Sequence, residues 1–265
     1  MSSYWYERLS AADRSFLVFE QSNTHMHLGG VTILEHAPLA MPNGGVDIAK
    51  IRTYIGSRLH YIPRYRQRLA FVPLENYPVW VDDHHLNLHY HVRHASVPRP
   101  GDDQQLKQLA ARIMSQPLDR RRPLWETWVI EGLEGGRFAM VLKTHHCVVD
   151  GVSGVDLMSV LLRPMQDDTF EETPPWRPRP APTPLELIRD EAMRRTSMPL
   201  ALVERARELL RDPTEARARF RESLASSFEF ISAGLHRPAE TPLNQPIGPY
   251  RRFDWHRRST MNRCS

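Results

Sequence analysis

The sequence predicts a layered α/β chain, with strands and amphipathic helices alternating from residue 25 to residue 162. Three observations carry that expectation. Apolar residues recur at a spacing of two in some segments and at helical spacing in others. The alternation stops at Pro164, beyond which seven prolines fall within 164–184. The chain has 265 residues, 41% of them hydrophobic, enough to bury a substantial core as one large domain or two small ones.

The elements follow in order. Leu9 to Glu20 reads as a short helix, with Ser10 as its cap and Asp13 completing a capping box. His25 to Leu34 reads as a strand with glycines at its middle. Val46, Ile48, Ile51, Ile55 and Leu59 mark a helix that ends at Ile62-Pro63. Short strands are expected over 69–74 and 78–81, and Leu86, Leu88, Tyr90 and Val92 alternate as a strand would. Leu106, Leu109, Ala110 and Ile113 place one apolar face on a helix. Trp125 to Glu131 and Arg137 to Thr144 read as paired strands across Gly132 to Gly136, and Val152 to Leu162 as a buried helix.

The prolines of 164–184 exclude helix and central strand, so this stretch reads as a linker or a surface strap. Residues 185–240 are arginine-rich and helical in pattern. Charge is divided along the chain. Residues 1–184 hold 20 basic and 20 acidic side chains, whereas 185–265 hold 15 arginines against 11 acids. The net charge of +4 suits contact with anionic lipid or phosphate but is too small to argue for nucleic acid. No stretch approaches the roughly 18 apolar residues of a membrane span, and the start lacks the order of a signal peptide, so a cytoplasmic protein is expected. Cys147 and Cys264 make neither a disulfide framework nor a zinc ligand set.

The densest chemistry lies in His145-His146-Cys147-Val148-Val149-Asp150-Gly151, where an apolar strand gives way to the next element. Such junctions expose side chains while rigid neighbours hold them. An imidazole near neutral pKa suits a general base. Asp150 could fix that imidazole or close the loop on an arginine, and Gly151 permits a positive φ or close backbone approach. Adjacent histidines on a strand point to opposite sides and so rarely share a metal; no metal is expected here. Cys147 reads as a small filler at a packed strand end rather than a nucleophile. His84, His85, His89, His91 and His94 read as part of an exposed strand, and Arg120, Arg121 and Arg122 as a solvated loop.

The motif His-His-x-x-x-Asp-Gly resembles the signature of the superfamily of chloramphenicol acetyltransferase and peptide-synthetase condensation domains. The surroundings resemble, more narrowly, the bacterial wax ester synthase/diacylglycerol acyltransferases. The matching stretches are LSAADRSFLVFE (9–20), IPRYRQRL (62–69), PVWVDDHHLNLHYHVRHASVPRPG (78–101) and SQPLDRRRPLWETWVIEGLEGGRFAMVLKTHHCVVDGVSG (115–154). The resemblance implies a chloramphenicol acetyltransferase-like layered sandwich, a mixed sheet with flanking helices. It implies His146 as the catalytic base, His145 as its support, Asp150 as structural and Gly151 as keeping the loop open. Pro123, Leu124 and Trp125 would then shape an acyl channel, where the residue pattern alone reads them as core.

The implied reaction joins acyl-CoA, as co-substrate, to diacylglycerol or a long-chain alcohol, with no bound cofactor. A membrane or lipid-droplet surface is an implied contact. Residues 1–163 are expected to form the N-terminal domain, 164–184 the linker, 185–240 a helical segment and 241–265 the start of a second half. Family members carry two similar halves, so a partner chain supplying the other half is a further expectation. A non-catalytic remnant that binds lipid or a partner chain is the alternative.

Overall fold

The computed structural model describes residues 4–42, 44–149 and 175–196. By contacts the chain divides into two units. The first comprises residues up to Phe71, Asn76–Ala181 and Gly248–Ser265; the second comprises Val72–Glu75 and Pro182–Ile247.

In the first unit the chain runs through β1 (Glu7–Arg8), α1 (Ala11–Phe19), β2 (His27–Glu35) and α2 (Ile48–Arg58). Then come β3 (Gln67–Val72), β4 (Tyr77–Asp82), a single helical turn α3 (Leu88–His91) and β5 (Val92–Ser96). Next are α4 (Asp103–Ser115), β6 (Trp125–Leu133), β7 (Arg137–His145) and a 3-10 turn, His146–Val148. A four-stranded sheet has the order β2-β7-β6-β5, and a three-stranded one the order β1-β4-β3. In the larger sheet β7 lies antiparallel to both neighbours and β5 parallel to β6. The sheet is therefore mixed, as expected.

Both faces of β6 and β7 are covered. Val141, Ala139 and Ile130 pack with Leu106, Ala110 and Ile113 of α4. Phe138, Met140, Leu142 and Val129 join a second core containing Leu17 of α1 and Ile51 and Ile55 of α2. Double coverage explains why β7 reads as a nearly unbroken apolar run rather than an alternating one. Gly29 of β2 is required for α4 to approach, because a Cβ there would stand 2.6 Å from Met114 Cε and 2.8 Å from the Leu142 carbonyl oxygen.

Helix ends follow the sequence signals. Ser10 Oγ accepts from the Asp13 amide at 3.0 Å and donates to Asp13 Oδ2 at 2.6 Å, so the reciprocal bond runs between side chains. Asp47 caps α2, and Asp102 with Gln105 forms a full capping box on α4. Buried Lys143 donates to the carbonyls of Ile113 (2.9 Å) and Gln116 (2.5 Å) at the C-terminal end of α4. There the helix leaves acceptors unmet and favours a cation.

One expectation needs correction. The alternation over 86–97 does not make a single strand: Asn87 accepts the His89 amide at 2.9 Å and starts the turn of α3, and the strand begins only at Val92. A local side-chain-to-backbone bond outcompetes the extended form. The helix expected over 152–162 lies outside the described residues.

Residues 175–181 form neither helix nor strand and belong to the first unit. The Arg179 guanidinium forks onto Asp82, with both bonds at 2.9 Å, and lies 3.3 Å from the centre of the Trp5 ring. The Trp5 amide donates to the Pro180 carbonyl at 2.9 Å. A bidentate ion pair thus ties residues 175–181 down. In the second unit residues 184–196 are helical. Pro184 opens that helix, and Thr183 and Glu186 cap it reciprocally, with the Thr183 amide donating to Glu186 Oε2 at 2.7 Å.

Candidate active site

β7 delivers the paired histidines to the end of the sheet. Its register against β2 sets His145 opposite His27, and the 3-10 turn then carries His146 off the strand. The His146 amide donates to the Met26 carbonyl at 2.7 Å, so the turn stays fastened to the chain entering β2.

The two histidines sit in different surroundings. His145 is 1% exposed, and its Nδ1 accepts the Cys147 amide at 3.2 Å. His146 is partly exposed, and its ring stacks on Phe16 of α1 with centroids 3.8 Å apart and planes 21° apart. His146 Nδ1 is buried without a hydrogen-bond partner. Cys147 is buried in the core, and burial pushes its thiol up, which removes it as a nucleophile at neutral pH.

Beneath the pair lies Glu20, the residue that ends α1. Its Oε2 takes the Arg120 guanidinium at 2.6 and 3.2 Å and lies 3.5 Å from His145 Nε2. Its Oε1 lies 3.3 Å from His27 Nε2 and 3.8 Å from His25 Nδ1, and accepts the Met26 amide at 3.4 Å. Burial works to raise the Glu20 carboxyl, but His145, His27 and Arg120 outweigh it and hold the group well below the usual carboxylate range. Burial lowers His27, and neither of its ring nitrogens has a formed hydrogen bond. His25 is oriented from its far side, because its Nε2 donates to the Ser115 carbonyl at 3.1 Å.

Among the described residues, Glu20, His25 and His27 have the reach to hold a metal ion, with ligand atoms within 4.8 Å of one another. Arg120 pairs with that carboxylate, and Lys143 adds a second positive charge felt by His27 and Glu20. Both disfavour a further dication.

The model of the wax ester synthase/diacylglycerol acyltransferase catalytic domain matches residues 9–260. The chain belongs to this family. A Mycobacterium tuberculosis relative named "Probable diacyglycerol O-acyltransferase tgs3" is 40% identical over 155 residues, covering 58% of this chain and 55% of its own. Another from that species, "Probable diacyglycerol O-acyltransferase tgs1", is 32% identical over 249 residues, covering 92% of this chain and 49% of its own. The chain thus spans about half the length of these relatives. The solved wax ester synthase/diacylglycerol acyltransferase of Marinobacter aquaeolei VT8 is similar at 33% identity and a TM-score of 0.46, covering 58% of this chain and 36% of that one.

Of the site residues expected from this family's motifs, Asp150 and Gly151 lie outside the described residues. Pro123, Leu124 and Trp125 are buried, the last two at 0% exposure and within the main core. The Leu124 carbonyl accepts the His145 amide at 3.0 Å, so this tripeptide also fixes the start of the histidine pair. Trp125 is sandwiched between Tyr65 and His91, each 4.5 Å away.

His91 is therefore a buried core residue, contrary to the exposed strand expected, while His84, His85, His89 and His94 are exposed. Arg120 lies in the exposed loop expected, and its guanidinium is committed there to Glu20 and to the Leu17 carbonyl at 3.0 Å. Arg122 pairs with Asp119 and covers Tyr90, and Arg121 is exposed. Sequence reading passed over Glu20, His25, His27 and Phe16. The available signal was His25-Met26-His27, whose period of two sets both imidazoles on one strand face.

Proposed function

We propose that this chain supplies the general base of an acyl-CoA-dependent O-acyltransferase, and that the base is His146. The observation that carries the reading is the difference between the two imidazoles. His145 is buried and bonded to its own turn, whereas His146 is partly exposed and held flat against Phe16. Of the two rings, only the second is open to the surface.

His146 takes the hydroxyl proton of diacylglycerol or a long-chain alcohol as the oxygen attacks the acyl-CoA thioester carbonyl. Collapse of the tetrahedral adduct breaks the C–S bond, and the CoA thiolate leaves with the proton from His146. The enzyme forms no covalent intermediate; its contribution is alignment of two substrates beside one base. Long-chain acceptors place this chemistry at a membrane or lipid-droplet surface, and a partner chain supplying the second half belongs to the same proposal.

The test is radiolabelled acyl-CoA incubated with diacylglycerol or hexadecanol, using the full chain and His146→Ala. Ester formation should fall roughly 10²- to 10⁴-fold in the variant, the usual contribution of a positioned base. Equal ester formation by both proteins would remove His146 from that role.

A further inference from the structure

We infer that one face of β2, carrying Leu28, Gly30 and Thr32, seats the acyl chain of the thioester, and that Gly30 sets how bulky a chain can pass. This rests on the reading of the chain as an acyl-CoA-dependent O-acyltransferase with His146 as base.

The register of β2 on β7 sets Leu28 opposite Thr144, Gly30 opposite Leu142, Thr32 opposite Met140 and Leu34 opposite Phe138. Directly opposed residues share a sheet face, and Leu142, Met140 and Phe138 belong to the larger core. Phe16 packs against that same core and stacks on the His146 ring. The base and the even-numbered residues of β2 therefore lie on one side of the sheet. The strand's entry is fastened to the turn of the base, since the Met26 carbonyl accepts the His146 amide at 2.7 Å, two residues before Leu28.

Along β7 this face is closed, with Leu142 7% and Met140 8% exposed; along β2 it opens, with Leu28 36% exposed. A Cβ at Gly30 would meet no described atom within 4 Å, whereas one at Gly29, on the other face, would run into Met114. The backbone does not ask for glycine either, because Gly30 has no positive φ. Glycine inside a strand weakens it, and marks places where another group approaches closely. Packing and backbone conformation both leave Gly30 unexplained; space kept for a ligand explains it.

The shape and chemistry of the strip select that ligand. Leu28, Gly30, Thr32 and Leu34 are uncharged, and Leu34 packs on the core and closes the far end. From Leu28 to Leu34 a strand rises about 20 Å, the scale of a long extended alkyl chain. An opening one strand wide suits the single chain of an acyl donor better than the paired chains of diacylglycerol. Leu124 and Trp125, expected to shape an acyl channel, are closed within the core at 0% exposure, so the chain runs elsewhere.

The experiment uses the full chain and hexadecanoyl-CoA carrying a diazirine at the far end of its acyl chain, with adducts mapped by mass spectrometry after photolysis. Wild type and His146→Ala should both be labelled within residues 28–34. Labelling there should fall roughly 10-fold in Gly30→Val, the usual effect of a few extra methyl carbons in a chain-binding site, and further in Gly30→Phe. Gly30→Val should melt at or above the wild-type temperature, because the site has room and the strand gains a β-branched residue. In turnover, its ratio of kcat/KM for octanoyl-CoA over hexadecanoyl-CoA should rise roughly 10-fold.

Absence of label from residues 28–34 in the wild type, or equal labelling there in Gly30→Phe, overturns the proposal. Labelling of this strip by a diazirine-tagged hexadecanol, and not by the acyl-CoA, would assign it to the acceptor and overturn it as well. An ester-forming His146→Ala overturns the base assignment instead, and leaves the labelling to decide the role of β2. Should Gly30→Phe fail to fold, Gly30→Val decides by the same map.

Discussion

Buried imidazoles lie at two places in this molecule, and their surroundings treat them differently. His91 lies on Trp125, its Nδ1 bonds the Trp125 carbonyl at 2.8 Å, and burial pushes it down to about 4. The Trp125 indole N–H meets the Tyr65 carbonyl at 2.9 Å, and the Tyr65 hydroxyl lies 2.7 Å from Thr144 Oγ1. Around Glu20, by contrast, His27 keeps both ring nitrogens unbonded and His145 keeps Nε2 unbonded, although all are buried. Buried polar atoms normally find partners, and exceptions mark strain or function. The stack around Trp125 is a scaffold; the histidines around Glu20 are held by charge beside the His145-His146 turn.

Measurements of stability and of the histidine NMR signals test that contrast. The largest effect belongs to the scaffold: Trp125→Ala should cost about 3–5 kcal/mol, because a ring sandwiched between two others leaves a cavity that cannot collapse. Urea denaturation measures it, and a loss below about 1 kcal/mol would show that the stack is not the scaffold.

Next comes the cation bordering the Glu20 group. Burial pushes Lys143 down to about 8, against 10.5 for the free side chain. Below pH 8 both folded and unfolded chains hold the proton, and its burial penalty is present in full. Between the two values the unfolded chain binds more protons, so this group raises stability as pH climbs, by up to about 3 kcal/mol. Denaturant midpoints from pH 8 to 10 should climb in the wild type and stay flatter in Lys143→Met.

Smaller still is the seating of α1. Ser10→Ala removes the cap and should cost about 1 kcal/mol, read as a lower thermal midpoint. Arg120→Ala should cost less than about 1 kcal/mol, since Arg120 is 41% exposed, yet it should disturb the His145 ring signals more than Ser10→Ala does. The reverse order would mean that helix stability, and not the ion pair, seats Glu20.

Much of the fold was legible in local pattern. The helices around residues 11–19, 48–58 and 103–115 announce themselves by caps and helical spacing, and β6 and β7 by apolar runs meeting at glycines. The exception over 86–97 arose because the bond from Asn87 to the His89 amide is local chemistry that an alternating pattern does not display. Of the site, the motif pointed to His145 and His146, but nothing local distinguishes a buried histidine from a reachable one.

The alternation of elements, the mixed α/β class and the paired histidines were set by the sequence alone, because they depend on short-range periodicity and adjacency; the family was legible through the resemblance of its motifs. Only the tertiary structure decided that Glu20, 125 residues before His145, lies beneath it, that Arg120 serves this carboxylate, and that Trp125 belongs to a closed stack. Such contacts depend on the pairing of β2 with β7 and on where α1 ends against them. A charge acquires its partner only after the sheet has set the register.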